Sequence, residues 1–133
     1  MTNEETFRLN KLENSDGDRR LKFKVYNEDI CVGEIDIILY SDFLKQHDYD
    51  PTYIHEVSIK IFEKYRKKGY GEKAINELIK IASNEKIAPL WSIVHESNCA
   101  SIKLHEKLNY INKKPHRKYI NNYVEVYVCY QLL

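Results

Sequence analysis

Apolar and polar residues alternate along the first third of the chain. Phe7, Leu9 and, less cleanly, Leu12 share one side of TFRLNKLE (Thr6 to Glu13), and NSDGD then reads as a turn. LKFKVY (Leu21 to Tyr26) alternates strictly before Asn27-Glu28-Asp29, and ICVGEIDIIL (Ile30 to Leu39) returns as a β-branched run. This pattern predicts an antiparallel meander. YSDFLKQHDYDPTY, with Pro51 and repeated aspartates, interrupts it as a loop or a single helical turn.

From Tyr53 the rhythm changes. YIHEVSIKIF places Val57, Ile59 and Ile61 on one face of a strand, and Ala74, Ile75, Leu78, Ile79 and Ala82 then fall on one helical stripe. SNEK ends that helix, and IAPLWSIV is a short apolar run suited to a buried strand. Strand, helix and strand in this order predict a βαβ unit with parallel strands. Ser97-Asn98 offers an N-cap for a second stripe of Ser101, Leu104, His105 and Leu108. YINKKPHRKYI and YVEVYVCYQLL flank Asn121-Asn122 as a long hairpin. Without repeats, low-complexity tracts or a linker, residues 1–133 are expected to form a single domain.

Composition narrows the function. Apolar residues make up 43% of the 133 residues, enough for one core, and a formal charge of +1 gives no global reason to expect nucleic acid or an anionic membrane as partner. Cys31, Cys99 and Cys129 are odd in number and widely spaced, so neither a disulfide framework nor structural zinc is indicated. MTNEETFRLN has no apolar core of signal-peptide length and no window approaches a membrane span, so a reducing cytoplasm is the expected location.

Basic character is local. Two of the four glycines, Gly69 and Gly71, stand where the first helix begins, directly after Arg66-Lys67-Lys68. A helix N-terminus presents free N–H groups and a positive dipole end, and glycine lets the backbone approach an anion closely. Arg66, Lys67, Lys68, Gly69, Tyr70 and Gly71 therefore suit phosphate, although a solvated basic turn would use the same residues. No GxxxxGK[ST] or GxGxxG opens this helix.

The pattern present is R-x-x-G-x-G, which resembles the acyl-CoA pyrophosphate loop of the GNAT superfamily of N-acetyltransferases. CVGEI (Cys31 to Ile35) is similar to that superfamily's third strand, and ESNCASIKLHEKLNY (Glu96 to Tyr110) to its N-x-x-A/S segment ending in Y/H-E-K-L-G-F. The resemblance implies an α+β fold with a mixed, mostly antiparallel central sheet, one parallel βαβ unit and flanking helices. Two departures stand out. Asn109 replaces the usual glycine, and only about seven residues separate the first two strands where the family places two helices. The N-terminal helical region is thus reduced, and the acceptor side is expected to be open unless YSDFLKQHDYDPTY supplies a wall.

The resemblance also implies site roles. Acetyl-CoA would be the cosubstrate, its pantetheine arm entering beside the strand and bonding to the main chain of Ile59 and Ile61. Arg66 to Gly71 would hold the pyrophosphate, and Asn98 would bond to the arm while capping its helix. HEVSIKI and S-I-x-L-H-E resemble phosphinothricin-type acetyltransferases. Neighbours on a strand point to opposite faces, so only one of His55 and Glu56 can face the thioester, and Glu56 is the favoured base. His105 would donate a proton to the departing sulfur, with a hydrogen-bonded core histidine as the bland alternative. Cys99 is read as structural.

The expected reaction is direct acetyl transfer to a primary amine, whether of a small molecule or of an exposed peptide or protein. Asp42, Asp48 and Asp50 hint at a cationic acceptor. The alternatives are a non-catalytic acyl-CoA sensor or interaction module and, less well supported, nucleic-acid binding through Lys60, Lys64, Arg66, Lys67 and Lys68. Dense tyrosines in the last two strands suit strand packing, and the final strand could pair across a homodimer.

Overall fold

The computed structural model describes residues 7–13, 19–39, 55–87, 90–108, 110–120 and 123–132. Seven strands form one sheet in the order β1-β2-β3-β4-β5-β7-β6. In chain order they are β1 (Phe7–Lys11), β2 (Arg20–Asn27), β3 (Ile30–Ile38), β4 (His55–Ile61), β5 (Leu90–His95), β6 (Tyr110–Ile120) and β7 (Tyr123–Leu132). Helix α1 (Tyr70–Asn84) joins β4 to β5, and α2 (Cys99–Lys107) joins β5 to β6. Only β4 and β5 are parallel. This is the expected α+β architecture, with its meander, βαβ unit and terminal hairpin. The segment 40–54, with Asp42, Asp48 and Asp50, lies outside the described residues, as do Asn109 and Asn121-Asn122.

Register explains which face is buried. Leu21, Ile37 and Val57 lie side by side across β2, β3 and β4, and so do Phe23, Ile35 and Ile59. Ala74, Ile75, Leu78 and Ala82 of α1 are wholly buried in the same core, as the helical stripe predicts. The other face carries Lys22, Asp36 and Ser58 in one row and Lys24, Glu34 and Lys60 in the next. Arg20 pairs there with Asp36 at 3.2 Å.

α1 ends in two bonds, Ile87 N–H to Ala82 O and Lys86 N–H to Ser83 O, with Lys86 in the left-handed region at φ 61°. That is a Schellman stop with lysine where glycine is commoner. α2 stops at Lys107, and Leu108 becomes its C-cap yet stays buried.

β1 pairs directly with β2, and only residues 12–19 separate the two strands. One expectation needs correction. The final strand cannot pair across a dimer, because β7 lies between β5 and β6 and both its edges are already occupied. The sheet's edges are β1 and β6. Among the described residues no helix is long and apolar enough to cross a membrane.

Candidate active site

The parallel ladder between β4 and β5 is short. His55, Glu56 and Val57 pair with Leu90, Trp91 and Ser92, and the pairing ends there although both strands continue. Beyond Val57 and Ser92 the strands part. On its other edge β4 stays paired with β3 as far as Ile61 and Gly33, and Phe62 N–H bonds to Val32 O at 2.9 Å. Main-chain groups alternate sides along a strand, so Phe62, Lys60 and Ser58 face β3 while Ile61 and Ile59 present theirs to the gap. One of these is already engaged: Arg66 donates from Nε to Ile61 O at 2.9 Å.

Gly33 sits where β3 and β4 come closest. A β-carbon there would overlap the carbonyl oxygen of Lys60 and reach 3.0 Å from Ile61 Cα. Only glycine lets β4 take this course past the end of the apolar rows.

After a 3₁₀ turn at Glu63–Tyr65, Lys67 and Gly69 both adopt positive φ, 63° and 81°. Gly69 is the N-cap of α1 and has no side chain to cap with. Tyr70, Gly71 and Glu72 therefore precede the first intrahelical bond, from Lys73 N–H to Gly69 O. Gly71 has an ordinary φ, and its role is spatial. A β-carbon there would come 3.2 Å from Leu104 Cδ2 on α2 and 4.0 Å from Ile59 Cδ1 and Ile61 Cγ1. Tyr70 is anchored sideways, its hydroxyl accepting from Asn27 Nδ2 at 3.1 Å and its ring stacked on Phe7 with centroids 6.0 Å apart.

These elements enclose a groove of about 850 Å³. Ile59, Ile61, Arg66, Lys67, Gly69, Tyr70, Gly71 and Asn98 all line it, whereas Lys68 does not. Asn98 caps α2, its Oδ1 accepting from Ser101 N–H at 3.1 Å. The groove is also lined by Ser101, Lys103, Leu104 and Lys107 of α2 and by Lys60 and Glu72, none of which the sequence reading assigns to the cofactor. The four-residue spacing of Lys103 and Lys107 was the available signal, though it reads equally as a solvated helix face.

Neither expected acid–base side chain lines the groove. Glu56 is half-buried on the polar face with Ser58, opposite Trp91. His55 is buried on the helix face, where desolvation pushes its pKa down, so the strand does separate the two. His105 is buried under α2, stacked on Tyr130 with centroids 4.9 Å apart. Tyr130 in turn is the partner of Ser92, the last residue of the parallel ladder. His105 Nδ1 lies 2.7 Å from Ser101 O, which requires a hydrogen on Nδ1, and Nε2 has no partner. Desolvation holds its pKa below the usual histidine value, against smaller raising effects of the Ser101 carbonyl and Glu106. In this neutral tautomer Nε2 accepts and cannot donate. Donation to sulfur would need the imidazolium, which burial disfavours.

The carbonyl and N–H groups turned to the gap, the uncapped helix start and the space kept by Gly71 fit an extended ligand carrying amides and a pyrophosphate. Comparison with known proteins gives the same frame. The acetyltransferase (GNAT) family model matches residues 3–110. An N-acetyltransferase from Staphylococcus aureus Mu50 is 23% identical with a TM-score of 0.62, over 85% of this chain and 67% of that one. A protein proposed to be a phosphinothricin N-acetyltransferase is 22% identical with a TM-score of 0.62, over 87% and 73%. An aminoglycoside acetyltransferase solved with coenzyme A is 14% identical with a TM-score of 0.66, over 86% and 67%. No curated protein matches the sequence. The chain spans about two thirds to three quarters of the length of these three structures, and it belongs to the GNAT family of acetyltransferases.

Proposed function

We propose that this protein transfers an acetyl group from acetyl-CoA directly to a primary amine. The observation that carries this reading is the end of the parallel ladder at Val57 and Ser92, beside a helix start left free of any side-chain cap. The main chain of Ile59 would bond to the amides of the pantetheine arm in the gap. Ile61 would join it once Arg66 Nε releases the Ile61 carbonyl. The N–H groups of Tyr70, Gly71 and Glu72, with Arg66 and Lys67, would hold the pyrophosphate, and Lys68 would add screened attraction from outside the groove. Asn98 would add a bond to the arm from the other wall.

The acceptor would approach from the polar face, where Glu56 and Ser58 lie. Its nitrogen attacks the thioester carbon, a C–N bond forms, the C–S bond breaks, and coenzyme A leaves as the thiolate. Glu56 takes the proton of the amine, directly or through water. A main-chain N–H already oriented in the gap stabilises the carbonyl oxygen as charge develops on it. A thiol is far more acidic than an alcohol, so its thiolate leaves without an obligatory acid. His105, buried against Tyr130 with Nδ1 bonded to Ser101 O, would take no proton in this step and would support the end of the ladder, in place of the donor role that the resemblance implies.

The test is thiol release from acetyl-CoA in the presence of a panel of amines: a polyamine, lysine-bearing peptides, free peptide N-termini and small amino compounds. Acceptor-dependent release that disappears when the amine is replaced by an alcohol supports the reading. Binding of acetyl-CoA with no release for any amine would favour the non-catalytic sensor.

A further inference from the structure

The first turn of α1 presents its free N–H groups without a side chain to cap it. Its N-cap is Gly69, and the chain reaches that residue through positive φ at both Lys67 and Gly69. Such a start lacks the acceptor that usually fixes the direction of the first N–H groups. Support comes instead from a residue 43 positions earlier in the sequence, beside the edge of the sheet.

Phe7 of β1 and Asn27 of β2 are cross-strand partners. Asn27 follows Phe23 and Val25 along β2 and ends an otherwise apolar row with an amide. Both partners grip Tyr70, the first residue of α1. Asn27 Nδ2 donates to the Tyr70 hydroxyl at 3.1 Å, and the Phe7 ring stacks on the Tyr70 ring at an interplanar angle of 19°. Lys73, one turn further along α1, places Nζ 5.8 Å from the centroid of the same Phe7 ring. Lys73 N–H also makes the first intrahelical bond, to Gly69 O. The edge hairpin thus holds the helix start at Tyr70 and at Lys73, with Gly71 and Glu72 between them. Neither Phe7 nor Asn27 lines the groove.

We propose that Phe7 and Asn27 are positioning residues for the phosphate-binding turn. By fixing Tyr70 they hold the N–H groups of Tyr70, Gly71 and Glu72 in the direction that the pyrophosphate needs. The proposal rests on the reading that the groove holds coenzyme A. Donors oriented before the ligand arrives bind it without the cost of ordering them. Affinity for the phosphate half of the cofactor then depends on the docking of β1, an edge strand outside the groove, whereas affinity for the pantetheine half does not.

The experiment is a double-mutant cycle: calorimetric titration of acetyl-CoA into wild type, Asn27→Ala, Tyr70→Phe and the double variant, with Phe7→Leu beside them. Each single substitution should weaken acetyl-CoA binding by about fivefold, the net effect of one half-buried contact, and the double variant should lose no more than either of its parents. Binding of S-acetylpantetheine, which lacks the phosphates and is followed by ligand-detected NMR, should stay unchanged throughout. Thermal melting checks that each variant is folded, and Tyr70→Phe keeps the ring and its stack should Asn27→Ala fail to fold. Full acetyl-CoA affinity in the single variants, losses that add in the double variant, or equal weakening of both ligands overturns the positioning role while leaving the groove assignment standing. If wild type does not bind acetyl-CoA, the functional reading fails and takes the positioning role with it.

Discussion

Gly33 and Lys60 meet so closely across β3 and β4 that a β-carbon on Gly33 would overlap the Lys60 carbonyl oxygen. The contact lies beside Ile61, at the end of β4 that has left β5. The obstacle is backbone, so it cannot rotate away. Gly33→Ala should destabilise the fold by about 1–3 kcal/mol and lower the melting temperature by several degrees. If the folded variant also binds acetyl-CoA more weakly, the course of β4 contributes to the gap. Unchanged melting would show that the strands can shift at no cost.

Gly69 makes a different demand. Its β-carbon would meet nothing within 4 Å, but its φ is 81°. Gly69→Ala should cost about 1 kcal/mol through backbone strain alone, and Gly69→Asn less, because asparagine tolerates the left-handed region. The check is a pair of melting curves together with acetyl-CoA titrations. Alanine should weaken binding more than asparagine does.

Asn98 serves the helix and, in the proposed mechanism, the cofactor arm. Asn98→Ala removes the cap on Ser101 N–H and should cost about 0.5–2 kcal/mol, whereas Asn98→Ser should restore most of that stability. If the arm also bonds to Asn98, the serine variant will melt almost like wild type and still bind acetyl-CoA more weakly. Full recovery of both properties would confine Asn98 to capping.

His105 should give stability a pH dependence. Burial depresses its pKa in the folded state below the unfolded value of 6.5, so the unfolded chain binds more protons as pH falls through that range. The contribution of the neutral ring is therefore complete above pH 6.5 and declines as pH drops toward the folded pKa. His55 shifts the same way. Glu106, whose carboxylate is held below its usual pKa of 4.5 by Lys113 and then Tyr110, adds its own loss only in more acidic solution. Melting temperature should fall between pH 7 and pH 5, and less steeply in His105→Asn. An identical slope in that variant would remove His105 from the account.

Glu56 is tested by Glu56→Gln, which keeps the shape and removes the base. Under the proposed mechanism kcat should fall by about 10²–10⁴ while acetyl-CoA affinity is retained. Little change in kcat would mean that water or another group takes the proton.

Much of this was legible in the sequence because it rests on local rules. Period-two runs located β2, β3 and β4, the stripe from Ala74 to Ala82 located α1, and paired glycines after three cations marked the turn between them. What could not be read depends on long-range pairing. The sequence of β7 resembles an edge strand as readily as an interior one, and its place between β5 and β6 is set by where the hairpin docks. Arg66 reads as a phosphate ligand, yet its Nε returns to Ile61 O, a bond decided by the 3₁₀ turn between them. The helical stripe through Leu104 and Leu108 marks His105 as a core position, but its tautomer follows from Ser101 O, which no pattern of side chains announces. Lys103 and Lys107 were missed because exposed lysines four apart are ordinary on a solvated helix until the opposite wall is known.

The most direct test of the central claim is calorimetric titration of acetyl-CoA into the wild-type protein, beside Gly71→Glu. The glutamate would enter the space between Ile59, Ile61 and Leu104 and place a negative charge at the helix start. Saturable binding by wild type that is lost in the folded variant is the predicted result. No binding by wild type, or equal binding by both proteins, would contradict the account.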